Sequence, residues 1–307
     1  RVGIKRLRPG ARRHRGGELT VEAEHELVGG VADIEARRLR FVGDAEARIR
    51  EDYLRVLRFF RFFAWYGEGR PDAEGLKACA RLKDGLAQLS AERIWSELKK
   101  LLSAPDPSRA LLWMRQAGVL TAALPESEKW GIDAIHGLTR AERELGWPAD
   151  PMLRLEAIVP PDAARMKTLA ERLRFSTAES DRLRHWALAT AVEPKTTEGE
   201  LAKRLYRGER QGFVDRLRLS LAGARVRAVE DTDALLEAGG FSRLLAFAPK
   251  WEKPAFPLKR ADLTALGATP GPKLGEILKN LEAEWIEAGF APDRGALLDR
   301  AAKALET

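Results

Sequence analysis

The chain has one cysteine, Cys79, in 307 residues, which excludes an intrachain disulfide and any multi-cysteine zinc site. Its four histidines (His14, His25, His136 and His185) are scattered, with no HxxxH or CxxH spacing, so a transition-metal centre is not expected. His136 and His185 have no nucleophile partner nearby in sequence and read as structural. No apolar run approaches the roughly 18 residues of a membrane-spanning helix. The basic N-terminus lacks the apolar stretch of a secretory signal. The expected compartment is the cytoplasm. Acidic residues are missing from positions 1–17, which hold Arg1, Lys5, Arg6, Arg8, Arg12, Arg13 and Arg15. That arm carries the whole net charge of +7; the remainder balances 46 basic against 46 acidic side chains. A uniformly basic, histone-like protein is therefore excluded, and any nucleic-acid contact must come from local patches.

What is present is globular: 45% apolar and 32% charged residues. The length suggests two or three domains. The pattern is helical almost throughout. The longest amphipathic stretch runs from about Ala45 to Tyr66, with Ile49, Tyr53, Val56, Phe60 and Ala64 on one face. Arg48, Glu51, Asp52, Arg55, Arg58 and Arg61 lie on the other, where Phe59 and Phe62 are unusual company for a plain solvated face. Gly67, Gly69 and Pro71 stop this helix. Further helices are predicted near 73–84, 91–103 with Ser90 as N-cap, 108–125, 162–174, 177–191, 198–207, 210–224, 227–238, 260–266, 272–289 and 293–305. Pro148, Pro151, Pro160 and Pro161 punctuate the middle. No convincing strand pair appears beyond the N-terminal region, and no internal repeat. The expected fold is all-α, a string of small helical domains. Trp113, Trp130, Trp147, Trp186, Trp251 and Trp285 read mostly as packing residues.

The informative segment is Arg48-Ile49-Arg50-Glu51-Asp52-Tyr53-Leu54-Arg55-Val56-Leu57-Arg58. On a continuous helix Asp52 and Arg55, three apart, project from one face. An acceptor-only carboxylate beside a donor-only guanidinium matches the edge of cytosine, whose N4 amine donates and whose adjacent ring nitrogen accepts. Adenine offers the same pattern; guanine and uracil offer the reverse. Such a pair accepts C and A without a template, and a wrong base leaves buried polar groups unpaired. The plainer reading of the same spacing is a surface ion pair worth a few tenths of a kcal/mol.

The run Leu27 to Asp44, leading directly into Arg48–Phe62, resembles the segment joining head to neck in bacterial class II CCA-adding tRNA nucleotidyltransferases and their poly(A) polymerase relatives. Leu89-Ser90-Ala91-Glu92-Arg93-Ile94-Trp95-Ser96-Glu97-Leu98 looks like that family's following neck motif. Leu258–Leu298, with Gly271-Pro272-Lys273-Leu274-Gly275-Glu276-Ile277-Leu278, looks like its tail. The resemblance is specific over 27–102 and holds in the middle only as helical character. It implies a head remnant or basic arm at 1–30, a nucleotide-reading neck at 31–105, a body at 106–195 and a tRNA-contacting tail at 196–307. It implies addition of C, C and A to tRNA 3′ ends from CTP and ATP, with Asp52 and Arg55 reading the base and Glu51 and Arg58 supporting them. Glu92 and Arg93 would brace the reading helix, with Arg48 beside it. Ser90-Ala91-Glu92 reads equally well as an ordinary helix start. Lys259, Arg260 and Lys273 are candidate tRNA contacts, as is the Thr269–Pro272 turn, which also reads as a simple helix-starting loop.

The family's Mg²⁺ ions are held by head carboxylates, and here the pattern departs. No Asp precedes Asp33. Pro9-Gly10-Ala11-Arg12-Arg13-His14-Arg15 stands where an Arg-Arg-Asp-Phe segment is usual, and Glu26-Leu27 where Asp-Pro is usual. The chain also starts at Arg1 rather than Met. The expectation is a polypeptide lacking its metal-binding head and inactive alone, the arm being either a shifted reading of head-coding sequence or a non-specific RNA contact. The other functions kept open are a poly(A) polymerase of the same family and a non-catalytic helical RNA-binding or adaptor protein.

Overall fold

A computed structural model describes residues 33, 35–128, 131–269 and 271–305. The proposed head remnant or arm at 1–30 and Trp130 lie outside the described residues, as does Pro270 in the candidate phosphate turn. Among the described residues the regular structure is entirely helical. The helices are α1 (Ala45–Glu51), α2 (Leu54–Tyr66), α3 (Ala73–Leu82), α4 (Ala91–Leu102), α5 (Ser108–Gln116), α6 (Val119–Ala123), α7 (Asp133–Leu145), α8 (Pro151–Ile158), α9 (Ala163–Arg172), α10 (Thr177–Leu188), α11 (Glu198–Arg207), α12 (Arg210–Arg227), α13 (Thr232–Phe247), α14 (Arg260–Ala265), α15 (Pro272–Glu287) and α16 (Arg294–Leu305). Short 3₁₀ turns cover Lys83–Gln88 and Pro125–Ser127. No described helix is long and apolar enough to cross a membrane.

Side-chain caps start many of these helices, each satisfying N–H groups that the helix leaves unpaired. Asp44 accepts from the Ala47 amide at 2.6 Å and Asp72 from Gly75 at 2.7 Å. Ser176 with Glu179, and Thr197 with Glu200, form reciprocal capping boxes. Ser90 occupies the N-cap position of α4, but its hydroxyl makes no cap hydrogen bond.

Three expectations need correction. The helix expected over 45–66 is broken at Asp52–Tyr53. The helix expected over 108–125 is divided at Gly118, whose φ of 71° is left-handed backbone that glycine adopts without strain. The stretch expected as 227–238 forms later, at 232–247, because Asp231 caps it through the Asp233 amide at 2.8 Å. The prolines near 150 also conceal a helix: Pro151 stands at the first position of α8, where its missing N–H costs nothing, and Asp150 caps the amides of Met152 and Leu153.

α2 is sandwiched between α4 and α5, and α1 lies on α3. One core joins Ile49, Val56, Phe60 and Cys79 of the first helices to Leu111, Leu138, Leu155 and Trp186 further along. A second gathers around Leu201, Leu217 and Leu244, and a third around Leu263, Leu281, Trp285 and Leu297. Each fully buried Leu or Phe contributes roughly 1.5–3 kcal/mol relative to an exposed one. Trp186 and Trp285 are buried, and Trp113, Trp147 and Trp251 are half-buried. His136 is exposed on α7, so it is not a core residue. Cys79 is wholly buried, and burial pushes its thiol pKa up to about 12.

Candidate functional site

Asp52 sits at the joint between α1 and α2 with extended backbone, φ −157° and ψ 104°. Its own carboxylate explains the break: Oδ1 accepts from the Leu54 amide at 3.1 Å, a local bond that competes with continuing the helix. The equal helical face expected for Asp52 and Arg55 is therefore corrected, because Asp52 is outside the helix. The two do not form the surface ion pair of the plainer reading either.

Instead each has its own partner. Arg93, at the start of α4, donates from Nη2 to both Asp52 oxygens at 2.9 and 3.0 Å. Arg58 brings Nη1 to 3.9 Å from the same carboxylate. Arg55 donates from Nη1 to Glu51 at 2.6 Å and to the Arg48 carbonyl at 2.6 Å. Arg48 closes the ring on Glu51 at 2.8 Å. The Arg55 hydrogen bond, with Arg48 adding to it, holds Glu51 below the usual carboxylate range. Arg93 is brought to the site by the packing of α4 on α2, whereas Glu92 points elsewhere and pairs with Arg174 at 3.0 Å.

This gives two adjacent groups of opposite character. Asp52 is fixed by Leu54 and Arg93, and of the roughly four acceptor positions of a carboxylate one remains. Arg55 keeps donors beyond the two bonds it makes from Nη1. Tyr53, beside Asp52, packs so closely on Gly85 that a Cβ there would lie 2.0 Å from its ring.

A residue that sequence reasoning missed lies beneath this row. Glu97 of α4 is 4% exposed and forms ion pairs with Arg61, Nε 3.0 Å away, Lys100 at 3.7 Å and Arg58 at 3.8 Å. The signal was present: Glu97 shares the helical arc of Ile94 and Leu101, so the helical period buries it. Phe59, expected in the polar arc, is buried and stacks on Phe41 with ring centroids 5.4 Å apart.

Lys259 and Arg260 are exposed at the start of α14, and Lys273 is exposed in the first turn of α15. They belong to the helices around the third core, and among the described residues no hydrogen bond or ion pair joins them to the Asp52 row. Among the described residues, no group of three or more His, Cys, Asp or Glu is placed to hold a metal ion. The resemblance places its Mg²⁺ ions on head carboxylates, and the Asp52 row, whose carboxylates are paired with arginines, does not fit them.

Residues 70–130 match the family model described as the probable RNA and SrmB-binding site of polymerase A. The chain is 30% identical to the mouse mitochondrial CCA tRNA nucleotidyltransferase 1 over 279 residues, which is 89% of this chain and 60% of that protein. It is 34% identical to the CCA-adding enzyme of Bordetella pertussis over 278 residues, 81% of this chain and 71% of the enzyme. It thus spans about three fifths of the mouse relative's length. Among solved structures, a CCA-adding enzyme in complex with CTP matches with a TM-score of 0.53 and 16% identity, covering 91% of this chain and 66% of that one. At that identity the match shows the shared fold.

Proposed function

Since the chain belongs to the family of CCA-adding tRNA nucleotidyltransferases and poly(A) polymerases, we propose that it selects CTP and ATP for template-independent addition of C, C and A to tRNA 3′ ends. The carrying observation is the fixed Asp52 carboxylate, held by Arg93 and the Leu54 amide next to the donors of Arg55. In this reading Asp52 accepts from the exocyclic amine of cytosine or adenine, and Arg55 donates to the neighbouring ring nitrogen. Guanine and uracil would set donor against donor and acceptor against acceptor. Arg93 keeps the carboxylate aimed; Glu51 and Arg48 hold the Arg55 guanidinium; Arg58 adds positive charge for the nucleotide. Glu92, tied to Arg174, supports the site only through the position of α4. Lys259, Arg260 and Lys273 would hold tRNA phosphates, a contact that weakens with salt.

The test is equilibrium binding of CTP, ATP, GTP and UTP to the full chain and to Asp52→Asn. Asparagine keeps an oxygen for the Leu54 amide but turns one acceptor into a donor. Loss of a charged hydrogen bond of about 1.5–3 kcal/mol predicts roughly 10- to 150-fold weaker CTP and ATP binding. Equal affinity for the four nucleotides, or no change in the variant, would sink the reading and favour a non-catalytic RNA-binding protein.

A further inference from the structure

We propose that the outer stripe of α2 is a stacking platform for the single-stranded 3′ end of the RNA, running on from the base-reading residues; this rests on the function proposed above. At about 100° per residue, Arg55, Arg58, Phe62, Trp65 and Tyr66 fall within roughly 100° of one another around the helix axis. The two arginines belong to the base-reading row. The three aromatics are 39%, 42% and 45% exposed, and they continue the same arc toward the C-terminal end of α2.

Their arrangement is ordered. The Trp65 indole N–H donates to the Lys100 carbonyl at 2.9 Å, which fixes the ring against α4 while leaving much of it open. The Phe62 and Tyr66 ring centroids are 6.2 Å apart with planes 30° from parallel, and Tyr66 is 6.4 Å from Trp65. The Arg61 guanidinium lies 4.2 Å from the Phe62 ring centroid. Aromatic faces flanked by arginine are what unpaired bases stack on, whatever their sequence.

Charge favours a polyanion over an apolar protein partner. Between Leu54 and Tyr66 the helix carries three arginines and no acid. On the neighbouring α4, Lys100 is exposed, Lys99 is exposed but paired with Glu179 at 2.7 Å, and the acid between the two helices, Glu97, is buried against Arg61. Length fits as well. Phe62 and Tyr66 lie roughly 10 and 16 Å along the axis from Arg55. At about 3.4 Å per stacked step that is the reach of three to five nucleotides. An RNA whose terminal nucleotide meets the incoming base near Arg55 would lay its preceding bases on Phe62, Trp65 and Tyr66. The matched RNA-binding family model begins only at residue 70, so this stripe lies outside it.

The experiment compares two RNA hairpins, one ending in a short single-stranded 3′ overhang and one blunt, titrated against the full chain and against Phe62→Ala/Tyr66→Ala. Both side chains are exposed, so the core should be undisturbed; thermal melts confirm it. The wild-type chain is expected to prefer the overhang, and the variant to lose at least tenfold in overhang affinity with blunt affinity unchanged. Phe62→Tyr, which keeps a ring, should retain the preference. Asp52→Asn should keep it too, so failure of the nucleotide-selection reading is separable from failure of this one. Equal loss on both hairpins, no loss on either, or reduced self-association of the variant without a change in RNA affinity would overturn the proposal.

Discussion

Arg154 is the side chain whose removal should damage the fold most for its size. It is 1% exposed in α8 and pairs with Glu142 of α7, itself 3% exposed, at 2.6 Å. Nη1 also donates to the carbonyls of Leu102 and Ala104, and Nη2 reaches that of Pro105 at 3.4 Å. These carbonyls close the C-terminal end of α4, where a helix leaves acceptors unpaired and favours a cation. Arg154→Met keeps the length and loses every donor. Leaving Glu142 buried without its partner costs about 3–5 kcal/mol. That is a large share of the 5–15 kcal/mol that ordinarily holds a protein folded. Pairing the change with Glu142→Leu removes the orphaned charge, but the Leu102 and Ala104 carbonyls remain without a donor, each costing about 1–3 kcal/mol if water does not reach it. The double variant should therefore recover about the 3–5 kcal/mol of the orphaned charge and still fall short of wild type. Urea unfolding followed by far-ultraviolet circular dichroism measures this. A single variant within about 1 kcal/mol of wild type, or a double variant no better than the single, would refute the account.

Two other outcomes are expected. Burial, reinforced by Asp215 and then Asp150 and opposed by Arg182 and Arg216, pushes the Glu156 carboxyl well above its ordinary value of 4.5. The folded chain then keeps a proton that the unfolded chain releases, so this residue costs stability increasingly as pH rises from 4.5 toward the folded pKa. Glu156→Gln should raise the melting temperature at pH 8 and bring no gain at pH 4.5; equal shifts at both would contradict this. Gly85→Ala drives a methyl into the Tyr53 ring, and overpacking of this kind costs about 1–3 kcal/mol. Because Tyr53 adjoins Asp52, CTP affinity should fall with the urea midpoint; wild-type values for both would show that the contact relaxes freely.

The helical architecture was legible wherever local chemistry decides it. Thr197 with Glu200 starts α11 where it was expected, and the apolar period of α4 and α15 survives intact. The joint at Asp52 was not legible, because the apolar period continues through it and only a side-chain bond to the Leu54 amide breaks the backbone. Asp52 and Arg55 were identifiable as residue types, but their partners were not. Arg93 lies 41 positions from Asp52 and meets it only through helix packing. α8 was hidden because proline reads as an interruption until its place at the first helical position is known.

The lone Cys79 carries a consequence for how motion in this molecule can be followed. Its sulfur lies in the same core as Ile49, Val56 and Phe60, the residues that seat the base-reading helices. In the closed state a soluble thiol reagent finds neither an accessible sulfur nor, with the pKa near 12, an appreciable thiolate. Each alkylation event then records one opening of that core, with no second thiol to confuse the signal. The chain thus carries its own clock for the loosening of the helices that present Asp52 and Arg55, readable by mass without any added label.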